Sequence, residues 1–365
     1  MKSVRSLSIL LCFAAAGFAN DGLDFRNLKH HEWISVNKGP ERDLSVNAQR
    51  PKIVKKGTIA CSLVEAHYFV WKGRLLREEW ARNHYKADRV YPESHIQIRD
   101  AETGERIAVL AKGHEFGTIF IEGDTAYVAA TGDLNTKGAR RTQINIFASK
   151  DLKNWTKWNA VDNKKFNICN TSIVKTEDEY ILMFEIDKPN VVSWTARFAK
   201  SKDLKKWEVL PEEYIHGRRY MAAPHCLKYS KGYFYNFYVR NRFGYSVFVS
   251  RSRDLKKWED SPFNPVMRAD KNDRILSPKV KFTEKEKKRI AAATDKNNSD
   301  IDVFGYKGKT LISYSWGNQH GVEHLAEAEY NGPIEEFLSG WFPYKAAESG
   351  VSQAKAKKTK VKKNT

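Results

Sequence analysis

The chain has 365 residues, of which 41% are apolar, and its 63 lysines and arginines outnumber 44 acidic residues to give a formal net charge of +19. That is enough for one large domain with a sizeable core, and of four cysteines the three beyond the first twenty residues, Cys61, Cys169 and Cys226, are odd in number with no paired spacing, which is no disulfide framework. The charge makes nucleic acid the reflex partner, but no RNA- or DNA-binding signature and no basic helix accompanies it. A polyanionic glycan, sulfated or uronic, would exploit the same field, and so would a basic tail that touches nothing in particular.

The chain begins with basic Lys2 and Arg5, an apolar run from Leu7 to Phe18 and small residues before a cut after Ala19. This pattern predicts a secretory signal peptide over 1–19, hence a secreted or periplasmic protein, and no later stretch is apolar enough to span a membrane. Leu11 stands before Cys12 where a lipoprotein signal would want Gly or Ala, so lipidation is not expected. Residues 20–56 are polar and read as an N-terminal strap. From Gly57 onward, apolar and aromatic runs broken by tight turns signal strands. Five hairpins stand out in order: SLVEAHYFVWKGRLLREEW, GTIFIEGDTAYVAAT, NTSIVKTEDEYILMFE, APHCLKYSKGYFYNFYV and SDIDVFGYKGKTLISYSW. Their turns carry Gly or Asp where a positive φ is needed.

After the second, third and fourth hairpins comes a repeated phrase: SKDLKNW (Ser149 to Trp155), SKDLKKW (Ser201 to Trp207) and SRDLKKW (Ser252 to Trp258). Asp151, Asp203 and Asp254 lie 52 and 51 residues apart, the length of one four-stranded propeller blade. The Asp caps its own turn, the Leu is buried and the Trp plugs the turn. Five hairpins at this period predict an all-β, five-bladed β-propeller over 57–343. Residues 267–297 form an insertion whose segment TEKEKKRIAAAT, with Thr283 and Glu286 in capping-box positions, predicts a short helix read as a surface decoration. The fifth unit has NGPIEEFLSGW in place of the phrase, and the Lys-rich stretch 344–365 reads as a disordered tail dispensable for folding.

Antiparallel order puts the start of each first strand and the end of each second strand on one face, opposite the three phrases. That face receives Glu65, His67, Glu115, Asn170, His225, Asp300 and Asp302. The second-strand ends add Arg77, Glu79, Trp80, Asp133, Glu185, Asp187, Arg240, Asn241, Trp316, Asn318, His320 and Glu323. Inner propeller strands are mostly apolar, so carboxylates at their first positions are costly unless they face a wet pocket and are used. Glu65 and Asp300 align when WKGR is set against YKGK, and Glu185 ends an apolar strand flanked by Met183 and Phe184, which would raise its pKa. Converging carboxyls suit glycosidic cleavage, one protonating the leaving oxygen while another activates water or attacks. The alternatives, rim carboxylates paired with surface lysines and tryptophans claimed by core packing, stay open here. Glu65, Glu185 and Asp300 are the candidate catalytic residues. His67, Arg77, Trp80, Asn170, His225, Asp302, Trp316 and His320 are candidate substrate contacts, with Trp80 and Trp316 as stacking platforms for sugar rings. No histidine pair has metal-ligand spacing, and no cofactor is expected; a structural calcium on the axis is not predicted.

The S-x-D-L-x-x-W phrase lacks the Gly of the sialidase Asp box and resembles the blade phrase of five-bladed glycoside hydrolases of families 43, 32 and 117. The resemblance covers most of Gly57 to Pro343. It implies a base or nucleophile at the start of the first inner strand, where Glu65 stands in place of the family's Asp, a second assisting carboxylate, and a Glu or His acid. This chain departs from the pattern at Asn170, neutral where an acid might stand, and at APH, where family 43 has an acidic E-G-P, leaving His225 as the nearest proton donor. The resemblance implies a divergent glycoside hydrolase acting on a poly- or oligosaccharide; the alternative is a non-catalytic carbohydrate-binding propeller.

Overall fold

A computed structural model of the chain describes residues 50–82, 93–132, 141–163, 165–187, 192, 194–218, 220–242 and 244–343. The signal peptide, most of the strap, Asp133 and the Lys-rich tail lie outside the described residues. What is described is all-β with two short α-helices. Strand β1 (Val54–Cys61) comes first, followed by three separate four-stranded antiparallel sheets. They are β2 (Ala66–Trp71), β3 (Arg74–Ala81), β4 (His95–Asp100) and β5 (Arg106–Leu110); then β6 (Glu115–Glu122), β7 (Thr125–Thr131), β8 (Gln143–Ser149) and β9 (Thr156–Asp162); then β10 (Ile168–Lys175), β11 (Tyr180–Ile186), β12 (Thr195–Ser201) and β13 (Glu208–Val209).

The fourth sheet has eight strands and consists of two meanders. One is β14 (Ala223–Ser230), β15 (Tyr233–Asn241), β16 (Tyr245–Ser252) and β17 (Glu259–Asp260). The other is β18 (Asn297–Tyr306), β19 (Lys309–Gly317) and β20 (Glu323–Tyr330), with β1 as its outer strand. They join where Tyr245 pairs in parallel with Asn297. The antiparallel pairing of β1 with β20 brings Lys55 opposite Ala328, so the first strand of the fold completes its last sheet.

Hydrophobic clusters lie between consecutive sheets. Ile96 and Ile98 of β4 pack with Ala126, Val128 and Phe147 of the next sheet, and Ile144 and Ile146 pack in turn with Leu182 and Phe184. The repeated phrase supplies plugs to these clusters. In each copy the Asp side chain accepts backbone N–H groups two and three residues on, and the Trp indole donates to the Leu carbonyl at 3.0–3.2 Å. Leu152, Leu204 and Leu255 are buried at φ of 60°, 61° and 60°, a left-handed backbone that a branched residue adopts only when capping bonds and burial outweigh its cost. Register places each phrase at the strand end opposite Glu115, Asn170 and His225: Ser149 pairs with Ala126, Ser201 with Tyr180 and Ser252 with Phe234.

Two readings of the sequence need correction. Residues 54–56, assigned to a strap, already form strand β1. The stretch looks polar because of Lys55 and Lys56, but Lys56 pairs with Glu329 and the Lys55 ammonium is buried among acids. The insertion is not a surface decoration. Its helix α1 (Glu284–Ala292) has the Thr283–Glu286 capping box, with both bonds made. Ahead of it, a 3-10 turn at Lys271–Arg274 carries a fully buried Asp273, and Thr58 donates to the Ile275 carbonyl at 2.6 Å, so the insertion is pinned to β1. A second helix, α2 (Ile334–Gly340), buries Phe337 and Leu338 and leads to the buried Trp341.

Candidate active site

Four inner strands carry a register break at corresponding places near their starts. The breaks lie between Glu115 and Thr118 in β6, Cys169 and Thr171 in β10, Pro224 and Cys226 in β14, and Ser299 and Asp302 in β18. A bulge frees one residue from the ladder and re-aims its side chain. The residues so freed include Asn170, His225 and Asp300, three of the candidate positions. Asp300 takes up the freed geometry at φ 49°. In the first sheet Glu65 stands just before β2, its carbonyl accepting the Trp80 N–H at 3.2 Å. In β6 the bulge needs Gly117, because a Cβ there would sit 2.6 Å from Ile96 Cδ1 and 2.8 Å from Glu78 Oε1.

Three acids gather electrostatically. Glu65 is buried, and burial, then the charge of Asp300, with Glu78 and Glu185 behind it, hold its carboxyl well above the usual range against the pull of Arg82. Glu185 is raised well above that range by burial first and then by Asp300, against Arg141 and an Asn170 Nδ2–H that donates to Oε2 at 2.9 Å. Asp300 Oδ2 accepts the hydroxyl of Ser299 at 2.7 Å and that of Ser315, while Oδ1 lies 3.4 Å from His225 Nδ1. Burial holds the His225 imidazole below its ordinary pKa despite Asp300 beside it, so it is neutral at pH 7.

A second layer lies behind. His67 Nδ1 meets Glu78 Oε2 at 2.8 Å; burial pulls its pKa down, but the Glu78 hydrogen bond together with the charges of Asp302 and Glu78 outweighs this and the net shift is upward. Burial acts upward on Asp302, yet Lys228, 2.8 Å away, together with His67 and the Cys226 thiol brings the net shift down. The cations that face the acids are paired in turn: Arg82 with Glu323 at 2.9 Å, and Arg141 with Glu115 at 3.4 Å.

Glu65, Glu185, Asp300, Asn170 and His225 are therefore brought together, with His67 and Asp302 beneath them. Four other candidates are placed elsewhere. Arg77 belongs to a separate buried network, with Glu79 Oε1 at 2.6 Å and Glu327 at 3.8 Å, because its place on β3 turns it toward the face of Tyr68. Trp80 is 2% exposed and packs against Phe116 at 4.3 Å. Trp316 is fully buried and donates to Thr58 Oγ1 at 2.8 Å, so both tryptophans are core residues and not rim platforms. His320 is exposed in the β19–β20 loop, where its backbone N–H donates to Asn318. Glu78, Arg82, Arg141, Ser299 and Ser315 were not among the candidates. Glu78 could have been found, since the WKGR turn sets His67 opposite it. Among the described residues, no cluster of three or more His, Cys, Asp or Glu side chains is arranged to hold a metal ion.

Concentrating acids this way is costly to folding. A carboxyl whose folded-state pKa is raised gives stability below its unfolded value that is lost as pH rises through the folded one. Glu65→Gln is accordingly expected to raise the melting temperature at pH 7 and to flatten its decline above pH 5, measured by thermal unfolding across pH. An unchanged slope would place Glu65 in a wetter site than its burial implies.

The antiparallel sheets define an all-β architecture, and comparison with solved structures shows which fold it resembles. The chain is similar to the catalytic domain of the GH62 α-L-arabinofuranosidase of Coprinopsis cinerea, with a TM-score of 0.54 and 9% identity, over 77% of this chain and 98% of that domain. It is also similar to the GH32 β-fructofuranosidase of Bombyx mori, with a TM-score of 0.51 and 13% identity, over 81% of this chain and 64% of that one. A third similar structure is a GH43 protein of Bacillus licheniformis, with a TM-score of 0.50 and 13% identity, where the match takes in 77% of this chain and 57% of that one. The fold is that of the propeller glycoside hydrolases. No protein-family model and no curated protein matches the chain. Among the described residues no helix is long and apolar enough to cross a membrane.

Proposed function

We propose that this chain is a secreted or periplasmic five-bladed propeller glycoside hydrolase, the eight-stranded sheet counting as two blades, that cleaves a glycosidic bond by carboxyl acid–base chemistry. The observation that carries the reading is the convergence of Glu65, Glu185 and Asp300, with burial and then the charge of Asp300 holding the carboxyls of the other two well above the usual carboxylate range. A glycosidase needs a carboxylic acid and a carboxylate in one site, and environments that push two acids up beside an acceptor supply that division.

In this reading Glu185 is the general acid. Asn170 donates to its Oε2, which leaves Oε1 to carry the proton delivered to the leaving oxygen. Asp300, held as an acceptor by two hydroxyls, activates water or attacks the anomeric carbon, and Glu65 assists. The family position would have given the charged role to Glu65, but its burial beside Asp300 favours the reverse.

The acid role makes a signed pH prediction. Activity should fall as pH rises through the raised pKa of Glu185, because the proton to be delivered is then gone. Glu185→Gln should remove that alkaline limb and lower kcat/KM on unactivated glycosides by about 100-fold or more. Aryl glycosides with good leaving groups should be much less affected, since they need little protonation. Equal loss on both substrate types, with the alkaline limb intact, would move the acid elsewhere.

A further inference from the structure

At the same strand end as His225 stands a cation that the proposed chemistry does not use. Arg240 lies near the end of β15, beyond Val239, which pairs with Ala223 two residues before His225. By strand geometry it is roughly 7–10 Å further out along the sheet. Its guanidinium is half-buried, 4.2 Å from the centre of the Tyr220 ring and 5.3 Å from that of Phe248. Among the described residues it makes no ion pair and no hydrogen bond.

The groups around it do not neutralise it. The carboxylate of this cluster, Asp260, accepts the Tyr238 hydroxyl at 2.9 Å. His216, edge-on to Tyr238 and 3.4 Å from the Tyr220 hydroxyl, is held neutral, its pKa lowered to about 3 by burial and then by the Arg240 charge. Arg218 pairs with Glu212 on the exposed side. An arginine fixed on an aromatic face keeps its fork of N–H donors aimed outward, the arrangement that suits a planar or tetrahedral oxyanion.

We propose that Arg240, clamped on Tyr220, is a subsite for an anionic sugar, binding the carboxylate or sulfate of a glycan that reaches into the carboxyl cluster one or two residues away. This rests on the hydrolase reading of that cluster. It makes the substrate an acidic saccharide and gives the chain's positive charge a local counterpart at the site.

The test is isothermal titration of the full chain carrying Asp300→Asn, so that binding is read without turnover. The probes are an oligogalacturonate beside its methyl ester, and a sulfated oligogalactan beside its desulfated form. At least one acidic probe should bind about tenfold or more tightly than its neutral partner. Adding Arg240→Met, which keeps the aliphatic stem on Tyr220, should abolish the difference. Arg240→Lys, which keeps the charge without the fork, should leave part of it, and it serves alone should the Met variant fail to fold. A preference confined to the galacturonate pair assigns a carboxylate, and one confined to the sulfated pair assigns a sulfate. Equal affinity for acidic and neutral forms, a preference that survives Arg240→Met, or no binding of either acidic probe at millimolar concentration overturns the proposal. The wild type then separates the two readings. Cleavage of neutral glycans without charge preference keeps the hydrolase and removes the subsite, whereas Arg240-dependent binding without cleavage of any probe does the opposite.

Discussion

Asp300→Asn is expected to lower turnover by 100-fold or more, roughly 2.7 kcal/mol of barrier, with little change in stability. The amide matches the carboxylate in shape, and the Ser299 and Ser315 hydroxyls can rotate to meet either an oxygen or an NH2 group. Asn also tolerates the φ of 49° at this position better than most residues. What is lost is the acceptor that draws a proton from water or attacks carbon. Removing Asp300's charge also relieves the repulsion that helps to raise Glu65 and Glu185, so any residual activity should fall off at lower pH than in the wild type. Steady-state kinetics across pH on a cleaved substrate checks both points. Full turnover in the Asn variant would remove Asp300 from the chemistry.

The largest stability effect is expected at Lys55, which is not among the candidate site residues but links the first strand to the insertion and the last sheet. Its ammonium, with a side chain only 6% exposed, meets Asp273 at 2.7 Å, Asp270 at 3.1 Å, Asn298 Oδ1 at 2.8 Å and the Arg268 carbonyl at 2.8 Å. Tyr314 donates to the same Asp273 at 2.7 Å. One ammonium thus ties the first strand, the insertion and β18 together, with β19 joined through Asp273. Removing one partner of a buried ion pair leaves the other uncompensated, and Lys55→Met should cost ~3–5 kcal/mol. The double variant with Asp273→Asn should recover part of that loss. Urea midpoints measure both, and a single-variant loss below about 1 kcal/mol would show that the cluster is wet.

The same cluster carries a pH signature. Asp295 has both oxygens buried without a hydrogen-bond partner, and it is pushed up to about 7 by burial first and then by the charge of Asp273, against Lys55 and Arg274. Below pH 7 it holds a proton and escapes the repulsion of Asp273. The stability this provides is lost as pH rises through 7, so Asp295→Asn should flatten part of the decline there.

What could be read from the sequence follows the range of the forces involved. Strand starts, hairpin turns and the three Asp-centred phrases are local, set by turn chemistry and side-chain alternation, and they were legible. So was the gathering of Glu65, Glu185 and Asp300, because register follows from the turns. The bulges that turn Asn170, His225 and Asp300 out of the ladder were not, since a one-residue break leaves no compositional mark. Trp80 and Trp316 were misread because a strand-end position does not reveal whether a neighbouring sheet covers the ring. Lys55 was misread for the converse reason: a lysine looks solvated until its partners arrive from more than two hundred residues away.

The most direct test of the central claim is to incubate the purified full chain with a panel of neutral and anionic oligosaccharides and follow the products by chromatography. The account predicts that at least one oligosaccharide is shortened to products with new reducing ends, and that Glu185→Gln and Asp300→Asn proteins that melt no lower than the wild type leave the same oligosaccharide intact. Tight binding of a glycan that the wild type never cleaves, or cleavage that survives in both variants, would contradict it.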